Sequence, residues 1–168
     1  MVTGSVASSY HGRPRSTHDA DIVIDPSRDQ LDALVRILAD RGFYVDAEQA
    51  HDALLRRLQF NAIEMRSAFK IDLIFRKDRP FSHEELGRRQ TAELSPGVQV
   101  SLASPEDTIL SKLEWANKAG RSEKQLGDAA GVLAVNPGLD RRYVEKWARE
   151  LGVLGLWHEI AGEGPVRG

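Results

Sequence analysis

The chain has 168 residues, about one domain at roughly 150 residues per domain, with 41% hydrophobic and 29% charged residues, the balance of a soluble globular protein. There is no cysteine, which excludes disulfide scaffolds, cysteine-ligated zinc, iron–sulfur clusters and thiol nucleophiles. A net charge of −2 argues against gripping nucleic acid over the whole surface, and the lack of a signal-peptide layout or an apolar run near the ~20 residues of a membrane span points to a cytoplasmic protein with no membrane partner.

Met1 to Thr3 is a short apolar start that runs straight into Gly4-Ser5, which predicts a thinly supported first strand. Small and apolar residues over 6–10 predict a short helix, and His11-Gly12-Arg13-Pro14-Arg15 predicts a turn. The β-branched run over 20–24 reads as a strand. Asp25-Pro26 reads as an N-cap with proline at the first helical position. Leu31, Leu34, Val35 and Leu38 continue at helical spacing, so a helix is expected over 26–41, closed by Gly42. A β-rich stretch follows, with a short strand over 42–45 and an alternating, partly exposed strand over 58–65. Residues 69–75 read Phe-Lys-Ile-Asp-Leu-Ile-Phe, apolar on both faces apart from Lys70 and Asp72, and predict a buried central strand. A short helix over 80–89 and a strand over 98–102 complete the mixed part. From Ser104 onward the pattern is helical. Ser104-Pro105-Glu106-Asp107 combines an N-cap, a first-position proline and acids in the first turn, ahead of the stripe Ile109, Leu110, Leu113, Ala116. Ser122-Glu123-Lys124-Gln125 reads as a capping box for a second helix ending near Val135. Asp140 caps a third, with Tyr143, Trp147 and Leu151 four apart, and a short fourth follows Gly152. The expected class is α/β (α+β): a mixed sheet flanked by helices over 1–103, with a helical subdomain over 104–168 packed on it.

Three carboxylates carry the candidate chemistry. Asp19 and Asp21 stand two apart at the start of a strand and so point to one face. Asp72 lies inside a second, apolar strand, where a carboxylate is costly to bury without a partner. If the strands are neighbours the three converge, and like charges that close need a cation between them. Oxygen-only ligands favour Mg²⁺ or Mn²⁺, usually held together with substrate phosphates. Gly4 lets backbone approach a ligand closely, and the Ser5 hydroxyl with the amides opening the next helix suits phosphate oxygens.

The order Thr3-Gly4-Ser5, thirteen residues, Asp19-Ala20-Asp21-Ile22, then Ile71-Asp72-Leu73 resembles the nucleotidyltransferase superfamily built on the DNA polymerase β-like palm. Thr3 and Ala20 depart from that pattern at positions where it carries larger hydrophobic residues. The stretch from Arg13 to Asp21 is similar to the basic, hydroxyl-bearing run of AbiEii-like stand-alone nucleotidyltransferases. Ser104 through Lys112 resembles the helix that carries a lysine toward the nucleotide in that group, and the stretch Ser122 to Asp128 is similar to its later x-Lys/Arg-x-x-Asp helix. The resemblance implies an enzyme that transfers NMP from a nucleoside triphosphate to a hydroxyl of RNA, a protein or a small molecule. Asp19, Asp21 and Asp72 would be the metal ligands, with Asp72 taking the acceptor's proton, and Gly4, Ser5, Lys112, Arg13 and Arg15 would bind the nucleotide. It also implies a toxin with an antitoxin partner, with an antibiotic-modifying enzyme as the rival in the same class. A catalytically inactive nucleotide-binding or partner-binding module on the same fold is the alternative.

Structural readings stand beside the functional ones. Asp72 alone could be a structural acid paired with Lys70 or Arg76, and Gly4-Ser5 alone an ordinary turn. Lys112 could be a solvated lysine on an amphipathic helix, and Arg121, Lys124 and Asp128 a helix-surface charge set. His11 and His18 lack zinc-ligand spacing and are acceptor contacts at most. Trp115, Trp147 and Trp157 read as core. Arg56-Arg57 and Arg88-Arg89 are solvated charge or a local phosphate patch.

Overall fold

The computed structural model describes residues 1–162; residues 163–168, the end of the expected helical subdomain, lie outside the described residues. The first half alternates strands and helices: β1 Val2–Thr3, α1 Gly4–His11, β2 Asp19–Ile24, α2 Arg28–Asp40, β3 Phe43–Val45, α3 Ala47–Arg56, β4 Gln59–Glu64, β5 Lys70–Phe75, α4 Pro80–Gly87, β6 Gln90–Ser95 and β7 Val98–Leu102. Helices α5 Pro105–Lys118, α6 Glu123–Val135, α7 Arg141–Glu150 and α8 Leu154–Ile160 follow. The result is an α/β fold with a C-terminal helical tail. Its mixed sheet runs β3-β4-β5-β2-β1-β7-β6.

Strand alternation separates the core from the candidate site. β5 is central, parallel to β2 and antiparallel to β4. Ile22, Ile24, Leu73 and Phe75 face α2 and α3 and pack with Leu31, Ala50 and Ala53. The same period of two sends Asp21, Val23, Asp72 and Ile74 to the opposite face. A second core, built from Ile109, Leu110, Leu113, Val132, Val144, Trp147 and Trp157 of the tail with Phe81 of α4, covers that side of the molecule.

The two-residue β1 is better supported than its length predicts. It pairs with β2 on one side and β7 on the other. Met1 and Val23 add a reciprocal pair of hydrogen bonds, each 2.8 Å, one residue beyond the assigned strand.

Local chemistry differs from expectation in four places. The N-cap of α2 is Ser27, not Asp25. The Ser27 Oγ accepts from the Gln30 amide and the Gln30 side chain accepts from the Ser27 amide, a complete capping box. Asp25 instead receives Arg57 and Arg76 at 2.6 and 2.8 Å. At Ser122 the box does not form, because no side-chain cap hydrogen bond is made there. The sequence pattern also passed over α3 and β6. α3 is capped by Asp46, which accepts from the Glu48 and Gln49 amides, but it buries only Ala50 and Ala53, too small to raise an apolar stripe. β6 buries Ala92 alone and is otherwise exposed. Among the described residues no helix is long and apolar enough to cross a membrane.

Candidate functional site

The register of β2 against β5 sets the site. Asp21 lies opposite Asp72, and Asp19 opposite Lys70. Asp19, Asp21 and Asp72 all line one cavity of about 730 Å³, enclosed between this face of the sheet and helices α4, α5 and α6. The three carboxylates differ in environment. Asp19 accepts a 2.7 Å hydrogen bond from Thr17 Oγ1, which holds its carboxyl below the usual range. Asp21 is pushed up, first by burial and then by the negative charges of Asp19 and Asp72, with the Ser5 amide pulling the other way. Asp72 is 8% exposed, and its Oδ2 receives the Lys70 ammonium at 2.7 Å. That bond raises the Lys70 ammonium above its ordinary value. Lys70 is one of the two cations named as structural partners for Asp72; the other, Arg76, pairs with Asp25 instead.

Gly4 is required on two counts. Its φ is +60°, a conformation that strains L side chains, and a Cβ there would lie 1.8 Å from Asp21 Oδ2. The glycine therefore lets the turn into α1 close directly over the Asp21 carboxylate, with Ser5 following at the cavity wall.

The tail and the loop before β2 supply further charged groups. Lys112 of α5 is 3% exposed and donates to Asp128 of α6 at 2.8 Å. Asp128 also accepts from Arg15 Nε and Nη2 at 3.2 and 3.1 Å, and Arg15 Nη2 donates to Ser5 Oγ at 2.6 Å. The pair is asymmetric. Burial outweighs the attraction at Lys112 and lowers its ammonium. At the less buried Asp128, burial opposes the charge but the bonds from Arg15 and Lys112 win and hold the carboxyl low. Lys112 is thus not a solvated surface lysine, and Asp128 is the anchor of a network rather than a surface charge. Arg121, by contrast, pairs with Glu159 at the surface, as a helix-surface charge would.

Of the five expected nucleotide contacts, Gly4, Ser5 and Lys112 line the cavity, and Arg15 reaches it through Ser5. Arg13 does not. It is exposed, and its side chain runs beside Gly131 of α6. His11 is pinned to the Ala103 carbonyl at 2.7 Å, a structural role, and His18 is exposed. Trp147 and Trp157 are core, but Trp115 is 52% exposed and lines the cavity. Arg57, not Arg56, reaches that wall.

Sequence reasoning missed the far end of the cavity. Glu85 of α4 is 7% exposed, and Ser111 of α5 donates to its Oε1 at 2.9 Å. Burial raises the Glu85 carboxyl to about 7. One turn earlier on α5, the buried Thr108 Oγ1 has no hydrogen-bond partner. Nearby, Arg79 grips Glu114 with two 2.7 Å bonds, which with Lys118 outweigh burial and hold Glu114 down to about 2. One of two adjacent glutamates on a short helix carries no pattern, so only the packing of α4 on α5 discloses that Glu85 is the buried one.

The donor chemistry fits a hard divalent cation: three carboxylates and a serine hydroxyl, with no nitrogen or sulfur ligand in the set. Asp21 supports the fit, because it is half-buried beside two like charges and makes no ion pair among the described residues. As the side chains stand, Lys70 faces Asp72, and among the described residues no three acidic or histidine groups form a metal-sized cage. No family model matches the chain, and no curated protein matches it.

Proposed function

We propose that the chain is a metal-dependent nucleotidyltransferase that moves a nucleoside monophosphate from a triphosphate to a hydroxyl acceptor on RNA, a protein or a small molecule. The observation that carries this reading is the shared placement of Asp19, Asp21 and Asp72 on one cavity face, with Gly4 closed over Asp21. Mg²⁺ or Mn²⁺ held by these three residues would supply neutralisation of the triphosphate and a lowered acceptor pKa. The chain's own groups do the rest. The Ser5 hydroxyl and Lys112 bind phosphate oxygens. Asp72 accepts the acceptor's proton as its oxygen forms a bond to the α-phosphorus and the bond to pyrophosphate breaks. The motif resemblance to the polymerase β-like palm rests on these same residues. Its AbiEii-like features add the expectation of a toxin restrained by an antitoxin.

The test is incubation with each α-labelled triphosphate, Mg²⁺ or Mn²⁺, and total cellular RNA and protein. Label should enter one pool with release of pyrophosphate, and both should vanish in Asp19→Ala/Asp21→Ala. The 2.7 Å Lys70–Asp72 bond favours one competing reading, a nucleotide-binding module whose third acid is neutralised internally. Nucleotide binding without pyrophosphate release from any acceptor pool would select that module.

A further inference from the structure

We infer that the mouth of the cavity binds a single-stranded nucleic acid, with a base stacked on Trp115 and phosphates on Lys77 and Lys118. Of the acceptors proposed above, this fits RNA rather than a protein or a small molecule, and it rests on the transferase reading of the three acids.

An unbalanced charge marks the place. Glu114 of α5 accepts two 2.7 Å bonds from Arg79 and one of 2.7 Å from Lys118. Lys77 also feels that carboxylate, and it stands close enough to Lys118 for the two ammoniums to oppose each other. One carboxylate thus answers three cations. Lys77 is exposed and makes no ion pair among the described residues, and the adjacent Asp78 pairs with His83 instead. Next to Lys77 in the chain, Arg76 shares the single carboxylate of Asp25 with Arg57. Arg57, Arg76, Lys77 and Arg79 all line the cavity. The whole chain carries a net charge of −2, so this positive rim is a local concentration of the kind that gathers phosphates.

Trp115 supplies the second, independent observation. Its indole is 52% exposed and lines the same cavity, with Lys118 Nζ 5.7 Å from the ring centroid. A single exposed apolar residue needs no explanation on an ordinary surface. Here the π-face opens onto a cavity beside cations that outnumber their acids. Proteins that hold single strands combine these two elements, a base stacking on the ring while neighbouring phosphates meet the cations. An acidic peptide would satisfy the cations and leave the indole without a stacking partner.

Helix α5 measures the distance to the chemistry. The Lys112 ammonium, lowered by burial, is close enough to Asp21 for that carboxylate to pull the other way. Trp115 follows one turn later, about 5 Å along the helix axis, and Lys118 one turn beyond that. At the start of α6, Lys124 lines the cavity and stands close enough to Asp19 to help the Thr17 hydrogen bond hold that carboxyl low. In the transferase reading Ser5 and Lys112 answer the triphosphate. The cations farther out along α5 are surplus to it, and they suit a second phosphate-bearing molecule that enters past Trp115.

The experiment is fluorescence anisotropy of a dye-labelled single-stranded RNA of about 12 nucleotides and mixed sequence, titrated with the full chain over a range of salt and without nucleotide. Log affinity should fall linearly with log salt. K77A/K118A should weaken binding and flatten that slope by roughly 1.4, two cations at about 0.7 each. Trp115→Ala should weaken binding at least about fivefold and leave the slope unchanged, and Trp115→Phe should restore most of the loss. Arg36→Ala, which removes an exposed cation of α2 on the far side of the sheet, should change neither. No RNA binding, affinity that Trp115→Ala leaves intact, or a loss in Arg36→Ala equal to that in K77A/K118A would overturn the site, even if label enters a protein or a small molecule. RNA binding with these variant effects, but without pyrophosphate release, would leave the site standing and remove the transferase.

Discussion

Glu85→Gln tests how the cavity is built, independently of any ligand. The folded protein raises this carboxyl from its ordinary 4.5 to about 7 by burial. Below pH 4.5 the group is protonated in both folded and unfolded chains, so it contributes no pH-dependent penalty. Between 4.5 and 7 the unfolded chain releases its proton while the folded chain keeps it, and stability falls as pH rises. Above 7 both states are ionised and the full penalty, about 3 kcal/mol, is in place. Glutamine carries no such titration and still offers Oε1 to the Ser111 hydroxyl. Chemical denaturation of both proteins at pH 4.5, 6 and 8 isolates the effect, because other titrating groups cancel in the difference. The variant should gain on the wild type by about 3 kcal/mol between pH 4.5 and 8, most of it by pH 7. A difference that stays flat across that range would show that Glu85 titrates as an ordinary exposed carboxyl, and the buried pocket would be wrong.

The remaining predictions concern the outer end and the tail. Gly4→Ala adds a Cβ 1.8 Å from Asp21 Oδ2 at positive φ, so it should cost at least ~1–2 kcal/mol in thermal or denaturant unfolding and abolish label transfer; wild-type stability would contradict the close approach. Asp72→Asn should leave the fold intact by circular dichroism, since only one partner of a semi-exposed ion pair is neutralised, while transfer disappears. Retained activity there would sink the proton-acceptor role. Trp157→Ala empties the centre of the tail core, where the indole is 1% exposed, and should cost roughly 3–5 kcal/mol by denaturant titration. A loss under 1 kcal/mol would mean that core is not packed as described.

The strands that hold the carboxylates were legible because their signal is periodic and strong. The run over 69–75 has no polar residue except Lys70 and Asp72, and β5 is central as that composition predicts. Asp19 and Asp21 share a face by the period of two alone. Whether Asp72 joins them depends on which strands are neighbours, and only the order β5-β2-β1 answers that. α3 escaped because alanines carry its buried face, and Trp115 was misjudged because indoles are usually buried while this one sits at the cavity mouth. Capping signals were ambiguous for a plain reason. Ser27 and Ser122 each have a Gln three residues on, yet only Ser27 uses it. The network Ser5–Arg15–Asp128–Lys112 joins residues more than a hundred positions apart, beyond any local pattern.

That network changes what the helical tail is for. Ser5 belongs to the turn that closes over Asp21, but its hydroxyl is oriented by Arg15, and Arg15 is held by Asp128 of α6. Lys112 reaches the same carboxylate from α5. The tail thus supplies both the counter-charge that fixes the loop between α1 and β2 and the ammonium that faces the acids. A loop of Gly, Pro, Ser and Thr residues without that anchor would lose its fixed geometry to chain entropy. The carboxylate face and its Lys70 partner are properties of the sheet, whereas Lys112 and the Asp128 anchor for Arg15 come only with α5 and α6. The segment over 1–103 carries the acids, and Lys112 and the anchor for Arg15 lie beyond it.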